Sequence, residues 1–195
     1  SDPNVWHTIK ALKKLDLLIV QDIFLTETAK EAHVVFPSVC FAEKDGTFHN
    51  TERRVQRVRK AVEPPGEARD DIWIISELSK RMGYPMNYSN PEEIYKELGN
   101  LWPAVKGISY YRIENEGIQW PCPTPDHQGT EYLYKDGFPK GKPAFTIVPF
   151  ISAKEEIDEE YPFILTNGRH LFHYHFASMT KRVKAIEAVA GQPYI

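Results

Sequence analysis

Cysteine is scarce in this chain, which has 195 residues but only two cysteines, Cys40 and Cys122. Two isolated thiols provide neither a disulfide framework nor the closely spaced ligands of a metal site. Long apolar runs are also absent, so no transmembrane helix is predicted. Charge of one sign is not in large excess, because the formal net charge is −3. A general binder of nucleic acid or of a membrane surface is therefore not expected.

Apolar side chains, by contrast, are plentiful enough for a core, with 42% hydrophobic and 12% aromatic residues. This length suits one sizeable domain, or one domain and a fragment of a second. An acidic linker predicts a domain boundary near residues 155–160. The residues beyond it are too few to bury a core of their own, and the chain opens with Ser1 instead of methionine. We therefore expect a piece of a longer protein.

The first forty residues follow the order strand, short helix, strand. Residues 15–20 form an apolar run that predicts a fully buried strand, and residues 33–36 predict a second apolar strand, stopped by Pro37. Residues 26–32 between them favour a short helix. This order is typical of a parallel α/β sheet.

Polar side chains stand where these two predicted strands end. Gln21 and Asp22 follow the first strand, and Ser38 follows the second. Ligands of parallel sheets bind beyond the carboxyl ends of the strands, so these residues indicate a site. From the residues alone, a simpler role is favoured, in which Asp22 caps a turn and Ser38 belongs to a loop.

Two helices are predicted farther along the chain. Asp70 and Asp71 open the first, which ends at Gly83, and Asn90 caps the second, which ends near Gly99. The apolar positions expected on the buried face of the first helix are Ile72, Ile75, Leu78 and Met82. Residues 102–145 predict an ordered surface excursion whose aromatic residues need burial, and residues 147–150 and 163–166 predict strands.

Residues 46–60 form a basic run that contains five cationic side chains and begins at a glycine. Arginine forks next to threonine and asparagine suit a pyrophosphate ligand. A solvated hairpin whose arginines pair with Glu43, Asp45 and Glu52 is the alternative, and both remain open. A second group, His170, His173 and His175, lacks a common metal-binding spacing and has no cysteine or acid beside it, so metal binding is not expected there.

Residues 43–68 resemble a segment of the catalytic alpha subunit of molybdenum- or tungsten-dependent formate dehydrogenases, in the molybdopterin oxidoreductase superfamily. The matching stretch reads EKDGTFHNTERRVQRVRKAVEPPGEA. Other stretches resemble the same enzymes in the same order, so the resemblance spans essentially the whole chain. They are residues 20–29, 71–81, 118–122, 168–170, 173–174 and 178–180.

The resemblance implies a fold and a division into domains. Residues 1–155 would form part of an α/β domain with a half-Rossmann-like parallel sheet that binds molybdopterin guanine dinucleotide, with the irregular excursion at 102–145. Residues 160–195 would begin a C-terminal β-barrel domain that also binds cofactor and is incomplete here.

The implied cofactor is a bis-molybdopterin guanine dinucleotide with molybdenum or tungsten. Residues implied at its nucleotide end are Gln21, Asp22, Thr26, Ser38 and Asp71. Arg169, His170 and His173 would lie beside the pterin. No catalytic residue or metal ligand can be assigned in this chain, although His173 could help relay a proton.

The implied activity is the two-electron oxidation of formate to CO2. A 4Fe–4S cluster would be bound by the missing N-terminal part, so the chain alone is expected to be inactive. Implied partners are the rest of the catalytic subunit, electron-transfer iron–sulfur or flavin subunits, and formate, with no nucleic acid and no membrane span. The cytoplasm is the expected location, and the periplasm is the alternative.

Two other functions compete with this interpretation. One is a different molybdopterin oxidoreductase, such as a nitrate reductase or the large subunit of an NADH–quinone oxidoreductase. The other is a non-enzymatic module that binds anionic partners, which predicts a basic stripe beyond the single run. The long continuation over residues 55–68 and the element at 119–122 favour the formate enzymes.

Overall fold

The computed structural model describes residues 4–166 and 168–190. The chain divides into two compact units. One spans Trp6–Lys142, and the other runs from Pro143 onward together with Ser1–Val5. The mixed α/β class predicted from the sequence is confirmed.

The helices and strands of the first part of the chain are short. The helices are α1 (Val5–Leu12), α2 (Glu27–Lys30), α3 (Asp71–Arg81) and α4 (Pro91–Leu101), with 3₁₀ turns at Phe41–Glu43 and Pro103–Val105. The strands are β1 (Ile19–Asp22), β2 (Val34–Pro37), β3 (Gly46–His49), β4 (Arg54–Val58) and β5 (Ile118–Gln119).

Strands β1 and β2 are parallel, as the sequence predicts. Ile19 lies opposite Val34 and Asp22 lies opposite Pro37, with α2 in the connection. Full burial of the first strand is a wrong prediction, because Ile19 keeps 39% of its surface exposed, as does Val34 in the second strand. The cause is the size of the sheet, which has two strands within the described residues.

The basic run folds into an antiparallel hairpin. Strand β3 pairs with β4 from Gly46 opposite Val58 to His49 opposite Val55, and β5 pairs on the other side of β4. Asn50 closes the turn, since its side-chain oxygen accepts a hydrogen bond from the amide of Arg54 at 2.9 Å.

Around this hairpin lies the apolar core of the Trp6–Lys142 unit. It contains Val55, Tyr95, Val105, Ile108, Tyr110, Ile113 and Cys122, and Trp102, Ile118 and Trp120 pack against it. The sequence predicts burial for six aromatic residues at positions 102–134. Of these, Tyr110 is buried, and Trp102 and Trp120 are partly buried against the core. For Tyr111, Tyr132 and Tyr134 the prediction is wrong, because they are 89%, 56% and 54% exposed.

Helix α3 begins as predicted, but another face of it is buried. The Asp70 carboxylate caps it by accepting a hydrogen bond from the Ile72 amide at 2.7 Å. Its buried residues are Ile74 and Ser76, whereas Leu78 and Met82 are 41% and 76% exposed. Four consecutive apolar residues at the start of the helix leave the choice of face to tertiary packing.

Helix α4 also starts where the sequence predicts. Asn90 accepts a hydrogen bond from the Glu93 amide at 3.1 Å. The helix ends at Leu101, two residues past Gly99, in agreement with the predicted end near Gly99. Gly99 also permits close packing, because a Cβ there would lie 3.3 Å from the Cα of Lys106.

The described residues from 143 onward contain a 3₁₀ turn (Thr180–Arg182) and helix α5 (Lys184–Ala190). The strands predicted at 147–150 and 163–166 are wrong, since Phe163 and Leu165 are 88% and 99% exposed and no strand of this described part pairs with them. The β-barrel start at 160–195 stays a prediction, and residues 167 and 191–195 of it lie outside the described residues. Within the described ranges, no helix is long and apolar enough to cross a membrane.

Candidate functional site

The carboxyl ends of β1 and β2 meet the N-terminus of α3. The amide of Ser38 donates to the Asp22 carbonyl at 3.1 Å, and the amide of Arg69 donates to the Pro37 carbonyl at 3.0 Å. The second of these bonds holds the segment before α3 beside the end of β2. Asp71 is thereby brought to the edge where polar side chains were predicted.

Three side chains from separate parts of the sequence converge on the Asp71 carboxylate. The Gln21 amide and the Ser38 hydroxyl both donate to its Oδ1 atom. The Lys44 ammonium donates to Oδ2 and forms an ion pair with it. The structure therefore brings together Gln21, Ser38 and Asp71, which the resemblance implies at the nucleotide end, whereas their role towards a cofactor stays a prediction.

The surroundings keep Asp71 ionised. Partial burial raises the pKa of its carboxyl group, but the hydrogen bonds from Lys44 and Ser38, the charge of Lys44 and the bond from Gln21 outweigh it, so the pKa is lowered. The side chain of Asp71 is still 35% exposed. A ligand can therefore reach a carboxylate whose orientation is already fixed.

Beside this carboxylate runs a groove of about 300 Å³. Lys44 and Asp71 line it, together with Thr47, Tyr95 and Tyr110. A mostly apolar groove with a few polar groups has the general character of a small-molecule site.

Lys44 is a site residue that the sequence interpretation missed. It lies two positions before the basic run, between Glu43 and Asp45, and a lysine flanked by two acids is typical of a solvated surface. Its position inside the stretch that resembles formate dehydrogenases was the available signal.

Asp22 and Thr26 have local roles in the structure. Asp22 Oδ1 accepts a hydrogen bond from the Phe24 amide at 3.2 Å, which is the turn-capping role considered from the sequence. Thr26 Oγ1 accepts one from the Ala29 amide at 3.3 Å and caps α2. Their contact with a cofactor remains a prediction.

The arginines of the basic run make contacts within the protein. Arg53 donates to the main-chain oxygens of Trp120, Thr130 and Glu131, the last at 2.9 Å. Its φ angle of 68° places this non-glycine residue in the left-handed region, where it ends the hairpin turn. Arg53 therefore fastens the hairpin to the segment that follows β5.

The other arginines of the basic run also contact groups within the protein. Arg54 bonds to Glu52 at 2.7 Å, and the Arg59 guanidinium lies 2.8 Å from a carboxylate oxygen of Glu114. Arg57 lies 3.7 Å from Asp45 and 3.9 Å above the Tyr110 ring. Of the two interpretations left open, these contacts match the intramolecular one.

Arg169, His170 and His173 lie in the unit that starts at Pro143. The Nδ1 atom of His173 is 2.9 Å from the Thr180 hydroxyl, and its ring centre is 5.5 Å from that of His170. The described residues contain no group of three histidine, cysteine or acidic side chains that could hold a metal ion. The assignment of these three residues to the pterin remains a prediction.

The donor and acceptor arrangement at Asp71 suits a guanine base. Guanine carries two adjacent donors, N1–H and the N2 amino group, which match the two oxygens of a carboxylate. Three donors already contact the carboxylate, but the Ser38 hydroxyl can rotate and release an acceptor site. Adenine has no such pair of donors. The residues present therefore fit the nucleotide end of a guanine dinucleotide.

Comparison with known proteins gives consistent results. Residues 1–81 match the model of the molybdopterin oxidoreductase family. The F420-dependent formate dehydrogenase subunit alpha of Methanocaldococcus jannaschii is 51% identical over the whole chain, and formate dehydrogenase H of Escherichia coli is 43% identical over 99% of it. The chain spans 30% and 28% of the lengths of these relatives. One similar solved structure is acetylene hydratase from Pelobacter acetylenicus, which is 26% identical with a TM-score of 0.46. The alignment covers 58% of this chain and 16% of the acetylene hydratase chain.

Proposed function

Because this chain belongs to the molybdopterin oxidoreductase family, we propose that it forms the part of a formate dehydrogenase alpha subunit that binds the guanine end of a molybdopterin guanine dinucleotide. The parent protein would carry two such dinucleotides with molybdenum or tungsten, a 4Fe–4S cluster and electron-transfer partner subunits. When bound, the cofactor supplies the chemistry for the two-electron oxidation of formate to CO2.

The observation that supports this proposal is the convergence on Asp71. Gln21 and Ser38 hold one carboxylate oxygen, and Lys44 holds the other. A carboxylate fixed in this way loses little freedom when a base binds to it, which favours affinity and orientation. Asp71 would accept hydrogen bonds from N1–H and the N2 amino group of guanine, and Ser38 would yield its site.

Other residues would act at a distance from the base. Asp22 and Thr26 shape the chain between β1 and α2, next to Gln21. Arg169 and His170 would hydrogen-bond the pterin end of the cofactor. His173, with its ring oriented by Thr180, would do so as well or pass on a proton.

Calorimetric titration of the 195-residue chain with GMP and AMP tests the proposal. We expect GMP to bind and AMP to bind at least tenfold more weakly, because each hydrogen bond to a charged group contributes about 1.5–3 kcal/mol. Asp71→Ala should abolish this preference.

Asp70→Asn is the matched control. It changes the neighbouring aspartate, which caps α3 at the Ile72 amide, and asparagine caps helices equally well. This variant should bind GMP as the wild type does. A folded wild-type chain that does not bind GMP at millimolar concentration would contradict the proposal.

A further inference from the structure

His33 fastens the chain at the point where the parallel sheet begins. Its ring nitrogen Nδ1 accepts a hydrogen bond from the Leu18 amide at 2.9 Å. We propose that His33 is a pH-sensitive clamp, which holds the entry to β1 when its ring is neutral and releases the Leu18 amide when its ring is protonated. The clamp is independent of the proposed function, because it requires no ligand.

The side chain and the main chain of His33 act on the same residue. The His33 amide donates to the Leu18 carbonyl at 2.9 Å, and the Val34 amide lies 3.3 Å from the same oxygen. Regular pairing then starts with Ile19 opposite Val34, one position farther along each strand. Both main-chain groups of Leu18 are therefore held by the chain that enters β2. Gln21 follows three residues later, so the clamp fixes the start of the strand that carries it.

The hydrogen bond requires an unprotonated Nδ1 atom. Neutral imidazole has one donor and one acceptor nitrogen, whereas imidazolium has two donors. Because Nδ1 of His33 accepts a hydrogen bond, the proton of the neutral ring is on Nε2. A second proton on Nδ1 would set one donor against another and break the bond. Histidine ordinarily changes its charge between about pH 5 and 8, so the clamp should respond in this range.

Other charged groups near β1 and β2 include two ion pairs. Lys13 lies 3.4 Å from Glu31, and Lys30 lies 2.6 Å from Glu27. Between α1 and β2, the other charged or titratable side chains are His7, Lys10, Lys14, Asp16 and Asp22. The charged groups at the carboxyl ends of the two strands are Lys44, Arg69 and Asp71. Carboxyl and ammonium groups ordinarily titrate outside about pH 5–8, so His7 is the group whose effect must be separated from that of the clamp.

Amide hydrogen exchange of the full chain, measured by NMR, tests the clamp at the bond itself. The protection of the Leu18 amide, corrected for the intrinsic exchange rate, should fall about fivefold between about pH 7.5 and 5.5, because one hydrogen bond is lost. The Ala29 amide is the internal reference. Its side-chain acceptor is the Thr26 hydroxyl, which does not titrate in this range, so its protection should stay constant.

His33→Asn separates protonation from the presence of an acceptor. The asparagine oxygen can take the place of Nδ1 and accepts a hydrogen bond throughout this pH range, so Leu18 should stay protected at both pH values. His33→Ala has no side-chain acceptor and should leave Leu18 weakly protected at both. His7→Asn is the matched control and should keep the pH response of the wild type. Equal Leu18 protection of the wild type at both pH values, or a pH response that persists in His33→Asn, would overturn the proposal.

Discussion

The hydroxyl of Tyr95 is buried in the core without a hydrogen-bond partner among the described residues. Tyr95 is 5% exposed, and burial raises the pKa of its hydroxyl. A buried polar group that has lost its water and gained no partner costs about 1–3 kcal/mol. Tyr95→Phe keeps the ring in place and removes only this oxygen. We therefore expect the substitution to increase the free energy of unfolding by about 1 kcal/mol or more.

Tyr110 provides the matched comparison, because it is equally buried, at 6% exposed, and lies in the same cluster. Its hydroxyl hydrogen-bonds to Thr47. Tyr110→Phe breaks that bond and should lower the free energy of unfolding by about 1 kcal/mol. The same chemical change at two neighbouring tyrosines is thus predicted to have opposite signs.

Urea unfolding followed by tryptophan fluorescence suits this comparison. All four tryptophans, at positions 6, 73, 102 and 120, belong to the Trp6–Lys142 unit, and two of them pack against the cluster that contains both tyrosines. The urea midpoint should rise for Tyr95→Phe and fall for Tyr110→Phe, at an unchanged slope. Destabilisation of both variants by similar amounts would show that the unpaired Tyr95 hydroxyl has no cost for stability.

Two further predictions concern packing and pH. Gly107→Ala should lower the free energy of unfolding by about 1–3 kcal/mol in the same assay, because a Cβ at this position would lie 2.1 Å from the Thr124 carbonyl oxygen. Gly46→Ala is the control. A Cβ there would meet nothing within 4 Å, so this variant should be nearly as stable as the wild type. At Asp71, partial burial raises the pKa of the carboxyl group, but the contacts with Lys44 and Ser38 outweigh it, so the pKa is lowered. The ionised carboxylate therefore contributes fully to the free energy of unfolding above its unfolded pKa of about 3.9. This contribution is lost as the pH falls through the folded pKa. The stability difference between wild type and Asp71→Asn, measured by urea unfolding at several pH values, should shrink on acidification. A difference independent of pH would contradict this linkage.

Local signals in the sequence were sufficient for part of the site. The ends of two apolar runs gave the positions of Gln21 and Ser38, and paired aspartates gave the start of α3 at Asp71. Parallel pairing then requires Gln21 and Ser38 to share one edge, whereas the place of Asp71 beside them depends on the hydrogen bond between Arg69 and Pro37. Each of these inferences depends on neighbouring residues or on the rule for parallel strands.

Other features depend on contacts between distant segments. Lys44 was missed because two acids adjoin it in sequence, and only the folded chain shows that both bind elsewhere. The buried face of α3 was misassigned because apolar residues surround its first turn. Residues 147–150 and 163–166 have apolar strand-like composition, but a strand also needs a partner to bond its main chain.

Exchange of the base shows most directly whether Asp71 binds guanine. In Asp71→Asn, the side-chain oxygen would still accept a hydrogen bond from N1–H of the base, but the side-chain nitrogen would donate one. Gln21 and Ser38 can accept hydrogen bonds as well as donate them, so they can also pair with the new amide. Xanthine carries an oxygen where guanine carries the N2 amino group. Wild type should prefer GMP over XMP by about tenfold or more, and Asp71→Asn should reverse this preference. An Asp71→Asn chain that is folded and still prefers GMP would contradict the assignment of Asp71 to the guanine base.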